Sequence, residues 1–169
     1  AEYSKDNKPY EPKHHLPISL NGVKEGDYAM VMGYPGSTDR YLTSYGVKQA
    51  VEISQPARVK IRRMKLDIME EGQAKSEKIR IQYASKHARV SNYWKYFIGQ
   101  SEQLVKNNVY DKKLKIENDF IDWANKDAEK NKKYGKALKL VKEAYEAEEE
   151  FIIPNVYFME AIYSGPEVF

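Results

Sequence analysis

Three histidines, His14, His15 and His87, are the imidazoles this chain offers for proton transfer or metal binding. His14 and His15 are neighbours, and on a strand adjacent side chains point to opposite faces, so they would not serve one substrate. His87 falls near the apolar side of a helical stretch, where a partly buried core histidine is expected. Neither an H-x-x-x-H nor an H-E-x-x-H pair occurs, so no zinc site is expected. The absence of cysteine removes disulfides, thiol catalysis and zinc-thiolate sites. Serine, histidine and aspartate all occur, which leaves a catalytic triad open on composition, but no serine stands in a nucleophile context.

The stretch GDYAMVMGYPGSTDRY, residues 26–41, has the look of an active-site edge. As a phosphate loop it fails, because Gly33 and Gly36 are too close and no lysine precedes Ser37. A dinucleotide fingerprint needs a helix to start after the glycines, and nothing after Gly36 reads as one. Ser37 is followed by Thr38 and Asp39, so the nucleophile-elbow frame is missing. Spacing alone favours a strand that runs into a glycine-proline turn.

Asn92 is the other candidate. At about 100° per residue it lies about 200° from Val90, away from the stripe of Val90, Trp94 and Phe97. Ser85, Ala88, Tyr96 and Gly99 share its side. An amide both donates and accepts hydrogen bonds, which suits a peptide terminus; the plain alternative is an exposed polar face. The basic cluster RVKIRRMK, Arg58 to Lys65, reads as a solvated helix face with Asp67, Glu70 and Glu71 at pairing distance. The acidic run from Glu143 to Glu150 reads as a solvent-facing helix end.

These residues sit in two textures. Most of the prolines and glycines fall before residue 52, and the longer remainder is rich in charge with helical periodicity. Leu16, Ile18 and Leu20 alternate as in a half-buried strand, Tyr28 to Met32 forms a short apolar run, and RYLTSYGV suggests a further strand. Pro56 marks the passage to helices. Val59, Ile61, Met64, Ile68 and Met69 predict a first helix ending near Gly72, and Ile79 to Ile98 a longer one interrupted at Asn107-Asn108. Leu114 to Ala124 predicts a third. Tyr134, Leu138, Val141 and Tyr145 predict a fourth, and Pro154 could open a last segment. A net charge of +3, from 28 basic and 25 acidic residues, gives no concentrated basic footprint. Nucleic acid and membrane insertion are therefore not expected. Both termini look cut from something longer.

Three short stretches carry a family resemblance. Val23-Lys24-Glu25-Gly26-Asp27 and Gly33 to Tyr41 (GYPGSTDRY) resemble the end of the first barrel in trypsin-like proteases. Gly33 to Tyr41 is closer to the bacterial dipeptidyl-peptidase 7 and dipeptidyl-peptidase 11 family, as is Asn92-Tyr93-Trp94-Lys95. The resemblance implies a periplasmic or secreted serine exopeptidase that releases dipeptides from free peptide N-termini, without a cofactor. A trypsin-like double barrel would hold the triad, and an inserted helical domain would cap its cleft. The family's histidine and serine motifs are missing from this chain, so it is expected to be an internal fragment, inactive alone.

The implied fold is mainly α, a bundle-like helical cap with a short N-terminal β segment left from the barrel. Residues 1–52 would end the first barrel and residues 53–169 would begin the helical domain. By resemblance Asn92 helps hold the substrate's N-terminal residues, and Gly33, Pro35 and Gly36 are scaffold near the active site. A homodimer of the parent is compatible with the resemblance. The rival readings are a non-catalytic helical binding or scaffold module and a self-contained enzyme.

Overall fold

A computed structural model describes residues 5–33 and 36–164. They divide into two compact units, Ala1–Thr38 and Asp39–Phe169. Among the described residues of the first unit there is no strand. The alternating Leu16, Ile18 and Leu20 are 80%, 87% and 94% exposed, and Tyr28, Val31 and Met32 are equally bare. Periodicity proposes a strand, but the ladder's hydrogen bonds must come from a neighbouring strand. What does form is the turn. Asp27 N–H donates to the Lys24 carbonyl at 3.1 Å, and Lys24 N–H donates to the Asp27 carboxylate at 2.8 Å. Gly26, at φ +91°, supplies the positive φ that the third position of a type II turn requires. Without a strand, His14 and His15 do not take opposite faces; their rings stack with centroids 6.4 Å apart.

The second unit is helical. Its first element corrects an expectation: the end of RYLTSYGV is not strand but helix α1, Ser44–Gln49. Thr43 caps it by accepting from Gly46 N–H at 3.4 Å. Glu117 completes the end, accepting from Ser44 N–H at 2.6 Å and from Ser44 Oγ at 2.5 Å. A carboxylate there satisfies otherwise orphaned donors and suits the positive end of the helix dipole. Gly46 is required by closeness, since a Cβ there would sit 2.5 Å from Tyr145 Oη.

Pro56 does not open a separate helix. The chain passes from α1 through a π-helical turn, Ala50–Ser54, into α2, Gln55–Lys75. The wider turn accommodates a proline that cannot donate back along the helix. Ser76 breaks the path with extended backbone and caps α3, Glu77–Lys106. Asn108, left-handed at φ 49°, turns the chain into α4, Val109–Asn125, as the asparagine pair predicts. Asp127 caps α5, Ala128–Tyr134, by accepting from Lys130 N–H at 2.9 Å. Helix α6, Ala137–Tyr157, runs straight through Pro154, and a π-helical segment, Phe158–Tyr163, continues it. Tyr134 therefore ends α5 rather than opening the helix that carries Leu138 and Val141, and Pro154 opens nothing.

α2 and α3 form an antiparallel hairpin. Gly72 lies against Ile79, Glu70 against His87, Arg63 against Trp94 and Gln55 against Gln100, so the pairing runs in opposite directions. The core is thin: Ala57 packs with Ile152, Val156 and the partly buried Ile53. Leu66 is 1% exposed, whereas the expected Met64 and Ile68 are 57% and 72% exposed.

Candidate functional site

The α2–α3 hairpin positions Asn92. Val90, Trp94, Phe97 and Ile98 are partly buried, and Asn92 is exposed on the other side of α3. Ser85, Ala88 and Tyr96 are exposed with it, as the 100° spacing predicts. Among the described residues the Asn92 side-chain amide makes no hydrogen bond, so its donor and acceptor are both open.

The opposite side of α3 is held by arginines rather than by aliphatic packing alone. Arg58 lies over Phe97 at 5.3 Å, Arg62 over Tyr93 at 5.4 Å and Arg63 over Trp94 at 5.2 Å. Such contacts contribute about 0.5–2 kcal/mol each, more where water is excluded. The basic cluster is thus only partly the solvated face its sequence suggests. Arg62 also reaches Glu160 in the terminal π-helical segment, through Nη2 at 2.7 Å and Nε at 3.1 Å. Lys65 Nζ stands 3.6 Å from the other oxygen. Glu160 is 8% exposed. Burial pushes the Lys65 ammonium below its usual range despite that carboxylate. The run Glu160–Arg62–Tyr93 therefore ties the terminal π-helical segment to α3 one residue along from Asn92.

Arg63 follows the pairing that the sequence suggests, with Asp67 at 2.8 Å and Glu70 at 2.6 Å. His87 Nε2 is 3.1 Å from Glu70 and the residue is partly buried, in keeping with a structural histidine. The His87 hydrogen bond, then Arg63, hold the Glu70 carboxyl below the ordinary carboxylate range. Glu143, Glu146 and Glu148 to Glu150 are exposed as expected, though mid-helix rather than at an end.

A second polar arrangement was not legible from single residues. Ser101 Oγ donates to Gln55 Oε1, Gln55 Nε2 donates to Gln100 Oε1, and Gln100 Nε2 donates to Tyr96 Oη, the last at 2.7 Å. Gln55 is 4% exposed, so this chain leads from the hairpin interior to the Asn92 face. Sequence shows the glutamines but not the hairpin register that pairs them.

The glycine stretch belongs to the other compact unit. Gly33 has φ +146°, a conformation that favours glycine, and is exposed; Gly36 is exposed with open space around it. Pro35 lies outside the described residues. A cavity of about 370 Å³ in the helical unit is lined by Val47, Lys48, Val51, Glu52, Leu104 and Tyr110 among others, with no serine or histidine in its wall. Among the described residues no acidic or histidine cluster could hold a metal ion, and no helix is long and apolar enough to cross a membrane.

The whole chain, residues 1–169, matches the Peptidase S46 family. It belongs to that family. Dipeptidyl-peptidase 7 of Porphyromonas gingivalis is 41% identical over 168 residues, which cover 99% of this chain and 24% of that protein. The Asp/Glu-specific dipeptidyl-peptidase of Flavobacterium psychrophilum is 43% identical over 168 residues, covering 23% of its length. Dipeptidyl-peptidase 7 of Phocaeicola vulgatus is 41% identical over 167 residues, again 23% of its length. The chain thus spans about a quarter of these relatives. The peptidase S46 match agrees with the family that the GYPG and NYWK motifs suggest.

Proposed function

We propose that this chain is one segment of a serine-type dipeptidyl-peptidase that removes dipeptides from free peptide N-termini. The observation that carries the reading is the family match over the whole chain, set against relatives roughly four times longer. In this reading residues 1–52 end the first trypsin-like barrel and residues 53–169 begin an inserted helical domain. Helix α1, which packs with α4 and α6, is the junction. The stretches 16–20 and 28–32 would gain their ladders from barrel strands elsewhere in the parent, which accounts for their bare apolar side chains.

Asn92 is assigned to the substrate's N-terminal residues. Its open amide can accept from the peptide ammonium and donate to a carbonyl, and the arginine-backed rings beneath α3 hold its helix in place. The hairpin would then close the far end of the cleft, which makes the parent an exopeptidase. His, Asp and Ser of the triad are assigned outside this segment, and the segment alone is inactive. A periplasmic or secreted location and a homodimeric parent belong to the same proposal.

The test is to read the encoding gene on both sides of the segment. A histidine and an aspartate in trypsin-like motifs upstream, with a G-x-S-G-x-P serine downstream, are expected. An open reading frame without them would overturn the assignment and favour a helical binding module.

A further inference from the structure

We propose that the Tyr96 hydroxyl is a second hydrogen-bond donor to the bound peptide, directed at the carbonyl of its first residue. This rests on the assignment of Asn92 to the peptide's N-terminal end. The argument begins with the direction of the hydrogen bonds. From Ser101 through Gln55 and Gln100 to Tyr96, every donor points the same way. Tyr96 Oη accepts at the end of this chain, so its own proton is unspent. A chain of aligned hydrogen bonds polarises its members, which makes the terminal O–H a better donor than an isolated phenol.

Position and rigidity agree with that role. Tyr96 is four residues beyond Asn92, and side chains at that spacing are neighbours on one helix face, with Cβ atoms about 5–6 Å apart. The residue is 48% exposed. Its ring is held edge-on by Tyr93 and Phe97, with centroids at 6.3 Å and 5.5 Å. Beyond it, a Cβ built on Gly99 would meet nothing within 4 Å, so the approach along this face is open. Here Gln100, one turn along the same helix, donates to the Tyr96 hydroxyl and leaves its proton for a ligand. If Asn92 holds the ammonium, the first carbonyl is the nearest acceptor that is not the reacting one, whose oxygen must face an oxyanion hole.

The test uses the full-length peptidase that contains this segment, with the variants Asn92→Ala and Tyr96→Phe. Two dipeptidyl substrates are compared, one ordinary and one with a thioamide, a poorer acceptor, at the first carbonyl. Tyr96→Phe is expected to raise KM by about 5–10-fold with kcat nearly unchanged, the size of one neutral hydrogen bond. Its thermal midpoint should stay within about 2 °C. The thioamide should cost the wild type a similar factor and cost Tyr96→Phe nothing further. Loss of activity in Asn92→Ala with unchanged kinetics in Tyr96→Phe would overturn this proposal while leaving the Asn92 assignment standing. Independent, additive losses from Tyr96→Phe and the thioamide would also overturn it, since they would make Tyr96 merely structural. If both variants behave as wild type, the Asn92 assignment falls first and this proposal with it.

Discussion

Glu160→Gln should destabilise the helical unit measurably, because it neutralises the buried carboxylate on which Arg62 and Lys65 converge. Arg62 and Lys65 keep 16% and 19% of their side-chain surface exposed, and Glu160 keeps 11%. Removing one partner of a fully buried pair costs about 3–5 kcal/mol. These groups are not fully buried, and glutamine retains an oxygen for Arg62, so roughly half that, about 1.5–2.5 kcal/mol, is expected. For a unit of this size that corresponds to a fall in Tm of about 5–10 °C. Thermal and urea unfolding of the chain, followed by circular dichroism, measure it. Arg62→Met provides the companion test, since it leaves Glu160 buried with Lys65 alone and also removes the cation beneath Tyr93. A change below about 0.5 kcal/mol in both variants would refute the reasoning and place the cluster among solvent-screened ion pairs.

Acid titration should expose Glu70. Its folded carboxyl is held below the ordinary range by His87 and Arg63. The stability it contributes is therefore present above the ordinary carboxylate pKa and is lost as pH falls through the depressed folded value. Glu70→Gln should remove that part of the acid slope in urea midpoints measured against pH. Lys65 works at the alkaline end. Its folded pKa is lowered by burial, so stability should rise as pH climbs from that depressed value toward the usual lysine value, and Lys65→Met should flatten the rise. Two glycines should behave oppositely under thermal melting. Gly46→Ala forces a Cβ to within 2.5 Å of Tyr145 Oη and should cost about 1–3 kcal/mol. Gly99→Ala, in open helical space, should stabilise by about 0.5–1 kcal/mol.

The helices were legible where the signal is local. Apolar spacing marks α3, Asn107-Asn108 marks its end, and Asn92's separation from Val90 places it on the exposed face. Other features depend on partners that a linear reading does not supply. RYLTSYGV reads as strand by residue type, yet Glu117, distant in sequence, meets the N-terminus of α1 and completes its cap. Pro56 reads as a helix start because nothing local announces a π-helical turn before it. Leu16 to Leu20 keeps its alternation but has no ladder among the described residues. Arg62 reads as surface charge until Glu160 arrives from the far end of the chain. Glu160 itself carried a signal, an acidic residue inside the apolar run FMEAIY. Buried Gln55 gave none, since its partners follow from the register of the hairpin.

The most direct test of the central claim is the kcat/KM of Asn92→Ala in the full-length enzyme, measured on dipeptidyl substrates with free N-termini. A fall of about 10-fold or more, the loss of a charge-assisted hydrogen bond, with folding preserved, is predicted. Unchanged kcat/KM would contradict the claim that this face of α3 holds the peptide terminus.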